Sequence, residues 1–199
     1  MPPTLFFLPG AGADPDFWRP LADRLPPTWD KVRFGWPGLG AQPADPAVRS
    51  FDDLVRRVEA RLVDRPVDLI AQSMGGAVAM AVTLRNPGRV RRLVLTVTSG
   101  GVDVEGLGGS NWRETYRRNN PGAAWITEAR PDFTDRLRGV TQPVLLLWGD
   151  ADPISPVAVG EHLRGLLPNA ALRVLPGGDH DLAQTRAAEI APWVLAHLS

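Results

Sequence analysis

The chain has 199 residues, the length of one domain, and a folded chain of this size buries about 70% of the surface that its unfolded form exposes. Basic and acidic residues number 22 each, so the formal net charge is zero and favours neither nucleic acid nor an anionic membrane as partner. Cysteine is absent, which excludes disulfides and thiolate metal sites.

The first residues, Met1 to Thr4, carry no basic group ahead of a long apolar stretch, unlike a secretory signal. No apolar run approaches the roughly 20 residues that a membrane-spanning helix needs. We therefore expect a cytoplasmic protein with no membrane partner. Its single domain would cover residues 1–199.

Short apolar runs alternate with helix-forming runs along the whole chain, which predicts an α/β fold. We expect a mainly parallel, twisted sheet of about six strands with helices on both faces. The predicted strands are residues 4–8, 31–34, 66–70, 93–97, 143–148 and 171–175, and the predicted helices are residues 16–25, 50–63, 74–85, 156–167 and 182–198. The second strand alternates charged and apolar residues, which suits a sheet edge.

The first strand leads into a loop that contains Gly10 and Gly12. Glycine allows the backbone to approach a ligand closely, and a positive φ at Gly10 would turn the N–H group of Ala11 toward a bound group. We expect this loop to supply a backbone donor. Trp18, at its end, is a candidate for lining a substrate pocket.

Ser73 lies between the third predicted strand and an alanine-rich helix that begins at Met74. A tight strand-to-helix turn strains its central residue and projects that side chain away from the sheet edge, which suits a nucleophile. A serine before a helix also suits an N-cap. The motif alone leaves both interpretations open.

Residues 100–139 separate two strands and combine glycines with large aromatic residues, which predicts a short insertion. Trp112 and Trp125 would either line an apolar pocket or form the core of a small subdomain. Arg113 and neighbouring arginines could attract an anionic substrate. Acidic residues share the segment, however, so we favour a solvated face of mixed charge.

The strand at residues 143–148 ends in a loop with two aspartates and two prolines. Open parallel sheets place their chemistry at such carboxyl ends. Asp152 is our candidate for orienting a catalytic base, whereas Asp150, directly after a glycine, is expected to cap the turn. Ile154 is a candidate pocket residue.

His180 is the candidate base among three histidines, because it follows the last strand in a glycine-bearing loop. His162 lies in an amphipathic helix. His197 falls in the last turn of the final helix, where a cation would suit the helix dipole.

Taken together, the segments 8–12, 71–76, 148–152 and 177–181 resemble those of small esterase-like serine hydrolases with the α/β-hydrolase fold. The resemblance implies Ser73 as nucleophile, His180 as base and Asp152 as acid, with the amides of Ala11 and Met74 as oxyanion hole. It also implies that residues 100–139 form a cap, and that the family's first two strands are missing.

The implied reaction is hydrolysis of a small-molecule carboxylic ester through an acyl-serine, without metal or organic cofactor. Two alternatives stay open. The same triad can cleave thioesters or carbon-carbon bonds, or the protein is a small-molecule receptor or regulator that hydrolyses its ligand only slowly. Two positions depart from the family pattern: Ala71 replaces a glycine, and Pro9 replaces the histidine usual before the oxyanion-loop glycine.

Overall fold

A computed structural model describes residues 2–199. Its six strands form one sheet in which each neighbouring pair runs parallel. The strands are β1 (Thr4–Leu8), β2 (Asp30–Arg33), β3 (Val67–Gln72), β4 (Val90–Thr96), β5 (Val144–Gly149) and β6 (Ala170–Leu175), and their order across the sheet is β2-β1-β3-β4-β5-β6. The predicted fold class is confirmed.

Burial along the strands follows this order. Every residue of β1, β3 and β5 is buried, whereas β2 and β6, at the two edges of the sheet, are largely exposed or half-buried. Buried parallel strands are expected to be continuously apolar, as β5 is in Val144–Gly149. The register pairs Leu8 with Ala71 and Gly149 with Leu175, so the carboxyl ends of the strands meet at one edge of the sheet.

Seven α-helices connect and flank the strands. They are α1 (Arg19–Ala22), α2 (Phe51–Glu59), α3 (Met74–Arg85), α4 (Arg113–Asn119), α5 (Val157–Leu166), α6 (Leu182–Thr185) and α7 (Ala187–Leu198). The connection from β1 to β2 leads toward one edge of the sheet, whereas every later connection leads toward the other edge. Because such crossovers are right-handed, α1 lies on one face and α2, α3 and α5 lie on the other. Helices α6 and α7 pack with α1.

Two predicted helices are interrupted. The helix predicted at residues 16–25 is a 3-10 turn, Pro15–Trp18, followed by the single α-helical turn of α1. The helix predicted at 182–198 breaks at Arg186, whose backbone (φ −113°, ψ 24°) is not helical.

Between β4 and β5 the chain contains α4 and three 3-10 segments, Glu105–Leu107, Pro121–Thr127 and Thr134–Gly139. We call residues 100–139 the cap segment. Side chains from it line cavities beside Ser73 at the carboxyl edge of the sheet. Within residues 2–199, none of the helices has the length and apolar character to cross a bilayer.

Candidate active site

Ser73 occupies the turn between β3 and α3 with φ 52° and ψ −125°. This conformation is costly for a residue with a side chain and is typical of a nucleophile turn. Close packing around the turn requires a glycine at position 75, where a Cβ atom would overlap the backbone carbonyls of Leu8 and Pro9. The Ser73 side chain makes no capping hydrogen bond to α3, so the N-cap interpretation is wrong.

Three side chains from three loops form a continuous hydrogen-bonded chain. Nε2 of His180 lies 3.0 Å from Oγ of Ser73, and Nδ1 lies 2.8 Å from Oδ2 of Asp152. The Asp152 carboxyl group is fully buried, and its other oxygen accepts the backbone N–H of Ile154 at 2.8 Å. With Nδ1–H donating to Asp152, Nε2 is free to accept the Ser73 proton.

The two aspartates of the β5 loop have different partners. Asp150 accepts the backbone N–H of Gly177 at 2.6 Å and so joins the β5 and β6 loops. It makes no hydrogen bond to His180, which bonds to Asp152 instead. The structure therefore places Asp150 at the turn and Asp152 at the histidine.

Two further side chains bond to the loops that carry His180 and Ser73, and the sequence analysis did not identify either of them. The amide Nε2 of Gln72 donates to the carbonyl oxygen of His180 at 3.1 Å. The hydroxyl of Thr98 donates to the carbonyl oxygen of Ser73. Both residues are buried at the ends of central strands. The one sign in the sequence that Gln72 belongs to the site is its position directly before Ser73.

The loop after β1 packs directly against Ser73. A Cβ atom at Gly10 would overlap Oε1 of Gln72 and lie 3.0 Å from Cβ of Ser73. The expected positive φ at Gly10 is wrong, since the positive φ in this loop belongs to Ala13, at 63°. Glycine is required at position 10 because Gln72 and Ser73 lie too close for a side chain there, and not because of its φ angle.

Two cavities meet at Ser73 and His180. The first, of about 300 Å³, lies under the cap segment and is called the cap cavity. The second, of about 550 Å³, lies between the β1 loop and α4 and is called the loop cavity. Trp112 and Ile154 line both cavities, while Met74 lines the first and Ala11 the second. Substrate groups on both sides of a scissile bond could therefore be accommodated.

Two predicted pocket residues do not line either cavity. Trp18 is fully buried in the core, with its ring 5.8 Å from that of Phe7 and 5.2 Å from that of Phe17. Trp125 packs against the core, and its neighbour Ile126 faces the cap cavity instead. Both assignments are corrected: the ring of Trp18 is enclosed by the core, and that of Trp125 packs against it, so neither faces a cavity.

Charged residues of the cap segment reach the cap cavity, but most are paired. Glu105 accepts from Arg113 at 3.0 Å and from Arg130 at 3.3 Å. Burial lowers the pKa of the Arg113 guanidinium, and the positive charge of Arg130 acts in the same direction. These contacts pair charges of both signs, but Arg113, with 20% of its side chain exposed, lines the cap cavity and is less solvated than the sequence predicted.

The other two histidines lie apart from this chain of hydrogen bonds. His197 is half-buried and bonds through Nε2 to the carbonyl oxygen of Leu93 at 3.0 Å. Burial lowers the pKa of His197, which disfavours the cation expected at the helix end. Within residues 2–199, no three potential ligands are grouped closely enough to hold a metal ion.

A parallel sheet with a strained serine turn after an inner strand, and with aspartate and histidine on later loops, is the architecture of the α/β hydrolases. Sequence comparison agrees. Residues 5–136 match the model of the alpha/beta hydrolase family, and residues 105–185 match that of the alpha/beta hydrolase fold. The chain belongs to the alpha/beta hydrolase family, which confirms the resemblance.

Curated relatives include a pimeloyl-[acyl-carrier protein] methyl ester esterase from Neisseria meningitidis, 26% identical over 88% of this chain and 86% of that protein. A poly(3-hydroxyalkanoate) depolymerase from Ectopseudomonas oleovorans is 27% identical over 98% of this chain and 84% of its own length. Among solved structures, a hydrolase from Pseudomonas aeruginosa superposes with a TM-score of 0.82 at 20% identity, over 100% of this chain and 90% of that one. That likeness shows the fold.

Proposed function

We propose that this protein is a serine hydrolase that cleaves carboxylic esters through a covalent acyl-Ser73 intermediate. One observation carries the proposal: Ser73, His180 and Asp152 form an uninterrupted hydrogen-bonded chain that begins on a strained turn. The first relative above is named as a methyl ester esterase and the second as a poly(3-hydroxyalkanoate) depolymerase, and each alignment covers most of both proteins.

In this mechanism His180 takes the proton from Ser73 as the hydroxyl oxygen attacks the ester carbonyl. The tetrahedral oxyanion is stabilised by the backbone N–H groups of Ala11 and Met74, the second of which lies at the positive end of α3. His180 returns the proton to the departing alcohol. Water then repeats the sequence on the acyl-serine, and no metal or organic cofactor takes part.

Steady-state hydrolysis of p-nitrophenyl esters tests this proposal. We expect the wild-type protein to turn over many equivalents of p-nitrophenyl acetate or butyrate. Ser73→Ala should lower kcat by several orders of magnitude, because only binding and oxyanion stabilisation remain. Ser99→Ala is the matched control: Ser99 also lines the cap cavity, but the ring nitrogens of His180 bond to Asp152 and Ser73 and not to Ser99.

Thioesters and aryl diketo acids belong in the same panel, since the triad alone does not define the bond that is cleaved. Preferred turnover of either class would replace the ester assignment. A single turnover followed by a stable acylated protein would instead favour a receptor or regulator. A cytoplasmic location stays a prediction.

A further inference from the structure

We propose that Tyr116 is a positioning residue through which the cap segment holds the oxyanion loop in its active conformation. The inference rests on the proposed function, because it assumes that the Ala11 N–H group is an oxyanion donor. Its basis is one hydrogen bond: the Tyr116 hydroxyl donates to the carbonyl oxygen of Ala11 at 2.9 Å. Tyr116 lies on α4, 105 residues further along the chain.

The orientation of the Ala11 N–H group follows from the loop's other hydrogen bonds. The N–H of Ala13 donates to the carbonyl oxygen of Gly10 at 3.0 Å. In a trans peptide the C=O and N–H groups point in opposite directions, so the Ala11 N–H of that same peptide is directed away from Ala13. This leaves the Ala11 N–H unused by the turn and available to a substrate.

The peptides on either side of this donor are each held by a side chain. The indole Nε1 of Trp36, which is fully buried, donates to the carbonyl oxygen of Pro9 at 2.7 Å. Tyr116 holds the carbonyl oxygen of Ala11 from the opposite side of the loop cavity. Two carbonyl oxygens of the loop are therefore held by side chains from outside it. Pro9 itself cannot contribute such a bond as a donor, because it has no N–H group and no polar side chain.

The two hydrogen bonds connect the loop to different parts of the protein. Trp36 belongs to the core and keeps the start of the loop in place whatever the cap does. Tyr116 belongs to the cap segment, and Gly40 also lies against its hydroxyl group. Burial raises the pKa of this phenol, so the hydroxyl stays protonated and remains a donor at neutral pH. Displacement of α4 would therefore release the Ala11 carbonyl and loosen the donor next to it.

Tyr116→Phe tests this role, because it removes the hydroxyl and keeps the ring. With p-nitrophenyl butyrate, we expect kcat to fall about tenfold while KM changes less than about twofold, as expected when an interaction acts in the transition state. The inhibition constant of a trifluoromethyl ketone, which forms a tetrahedral adduct with the serine, should rise by a similar factor. The affinity of butyrate, a product whose carboxyl carbon is trigonal, should change by a smaller factor.

Arg117→Met is the matched control on the same helix. Arg117 lines neither cavity, and its Nε–H donates within the cap segment to Oγ1 of Thr127 at 3.1 Å. This variant removes one hydrogen bond inside the cap segment and leaves the bond between Tyr116 and Ala11 in place, so its kcat and its trifluoromethyl ketone affinity should stay near wild type. Melting temperatures of both variants measure whether they have lost comparable stability.

An unchanged kcat and ketone affinity in Tyr116→Phe would overturn the inference. Equal losses in Tyr116→Phe and Arg117→Met would do so as well, because they would indicate general loosening of the cap. Failure of the proposed function has a different signature. In that case wild-type protein would show no turnover, or Ser73→Ala would keep it.

Discussion

Asp152 and Asp150 are two residues apart in one loop, yet only Asp152 contacts the histidine. Asp152→Asn should place His180 in the wrong tautomer, because an amide can donate to Nδ1, and should lower kcat by about 10⁴-fold. Asp150→Asn keeps an oxygen that can accept the N–H of Gly177, so its kcat should stay within about threefold of wild type. Initial rates with a p-nitrophenyl ester measure both.

A larger loss at Asp150 than at Asp152 would contradict the assignment of the acid. The two variants replace the same functional group in the same loop, so each is the control for the other. Circular dichroism on both should show that the fold is retained.

Gly10 offers a second test at the level of single residues. Gly10→Ala adds a methyl group that would overlap the amide of Gln72, and this buried amide cannot move without leaving the carbonyl oxygen of His180. We expect kcat to fall by about 10² to 10³, the cost of one lost oxyanion donor. Gly10→Val should cost at least as much, for this steric reason and not through its φ angle.

Gly12→Ala is the corresponding control. A Cβ atom at Gly12 has no other atom within 4 Å, and its φ is not in the left-handed region. This variant should retain kcat within about twofold. Wild-type activity and thermal stability in Gly10→Ala would show that the loop is not part of the oxyanion hole.

Helix α7 carries a stability effect that depends on pH. Burial lowers the pKa of His197, and the nearby charge of Arg92 acts in the same direction, whereas the Leu93 carbonyl and Asp68 oppose it. Because the unfolded chain binds this proton more tightly, the free energy of unfolding should fall as the pH drops below about 6.5, the ordinary histidine value. Above that pH the contribution of His197 is constant.

His197→Gln isolates this effect, since glutamine can donate to the Leu93 carbonyl but does not titrate. The free energy of unfolding, measured with urea from about pH 5 to about pH 8, should fall less at acid pH in the variant than in wild type. Parallel pH profiles would contradict the assignment. The other titrating groups are common to both proteins and cancel in the difference.

Most elements of the sheet could be predicted from the sequence, because buried strands such as β5 are uninterrupted apolar runs. The edge position of β2 followed from its alternating charges. Helix boundaries at Ala22 and Arg186 could not be predicted. They depend on local backbone conformation and on packing between α1, α6 and α7, which no periodicity encodes.

The sequence could predict that Ser73 and His180 lie together, because both follow strands whose carboxyl ends meet at one edge of the sheet. The site was not predictable where a side chain acts through a partner that is distant in sequence. Gln72 meets His180 across 108 positions and Tyr116 meets Ala11 across 105, so neither contact has a local signal. Trp18 was misassigned because an aromatic residue near a glycine loop suits a pocket and a core equally well in sequence.

At the scale of the whole molecule, the parallel sheet is what assembles the site. The strand ends bring the β1, β3, β5 and β6 loops to one edge, and the cap segment encloses that edge with two cavities beside Ser73. The central claim is that this assembly activates one serine among all those in the chain. Activation is a property of the folded protein and should disappear in urea.

Intact-mass spectrometry with a fluorophosphonate probe tests this claim most directly. We expect the folded protein to gain the mass of one phosphonyl group, with peptide mapping placing it on Ser73, because this hydroxyl alone bonds to a histidine oriented by a buried carboxyl group. Ser73→Ala and urea-unfolded protein should remain unlabelled. Stoichiometric labelling of folded Ser73→Ala, or a modified serine elsewhere in the wild-type chain, would contradict the account.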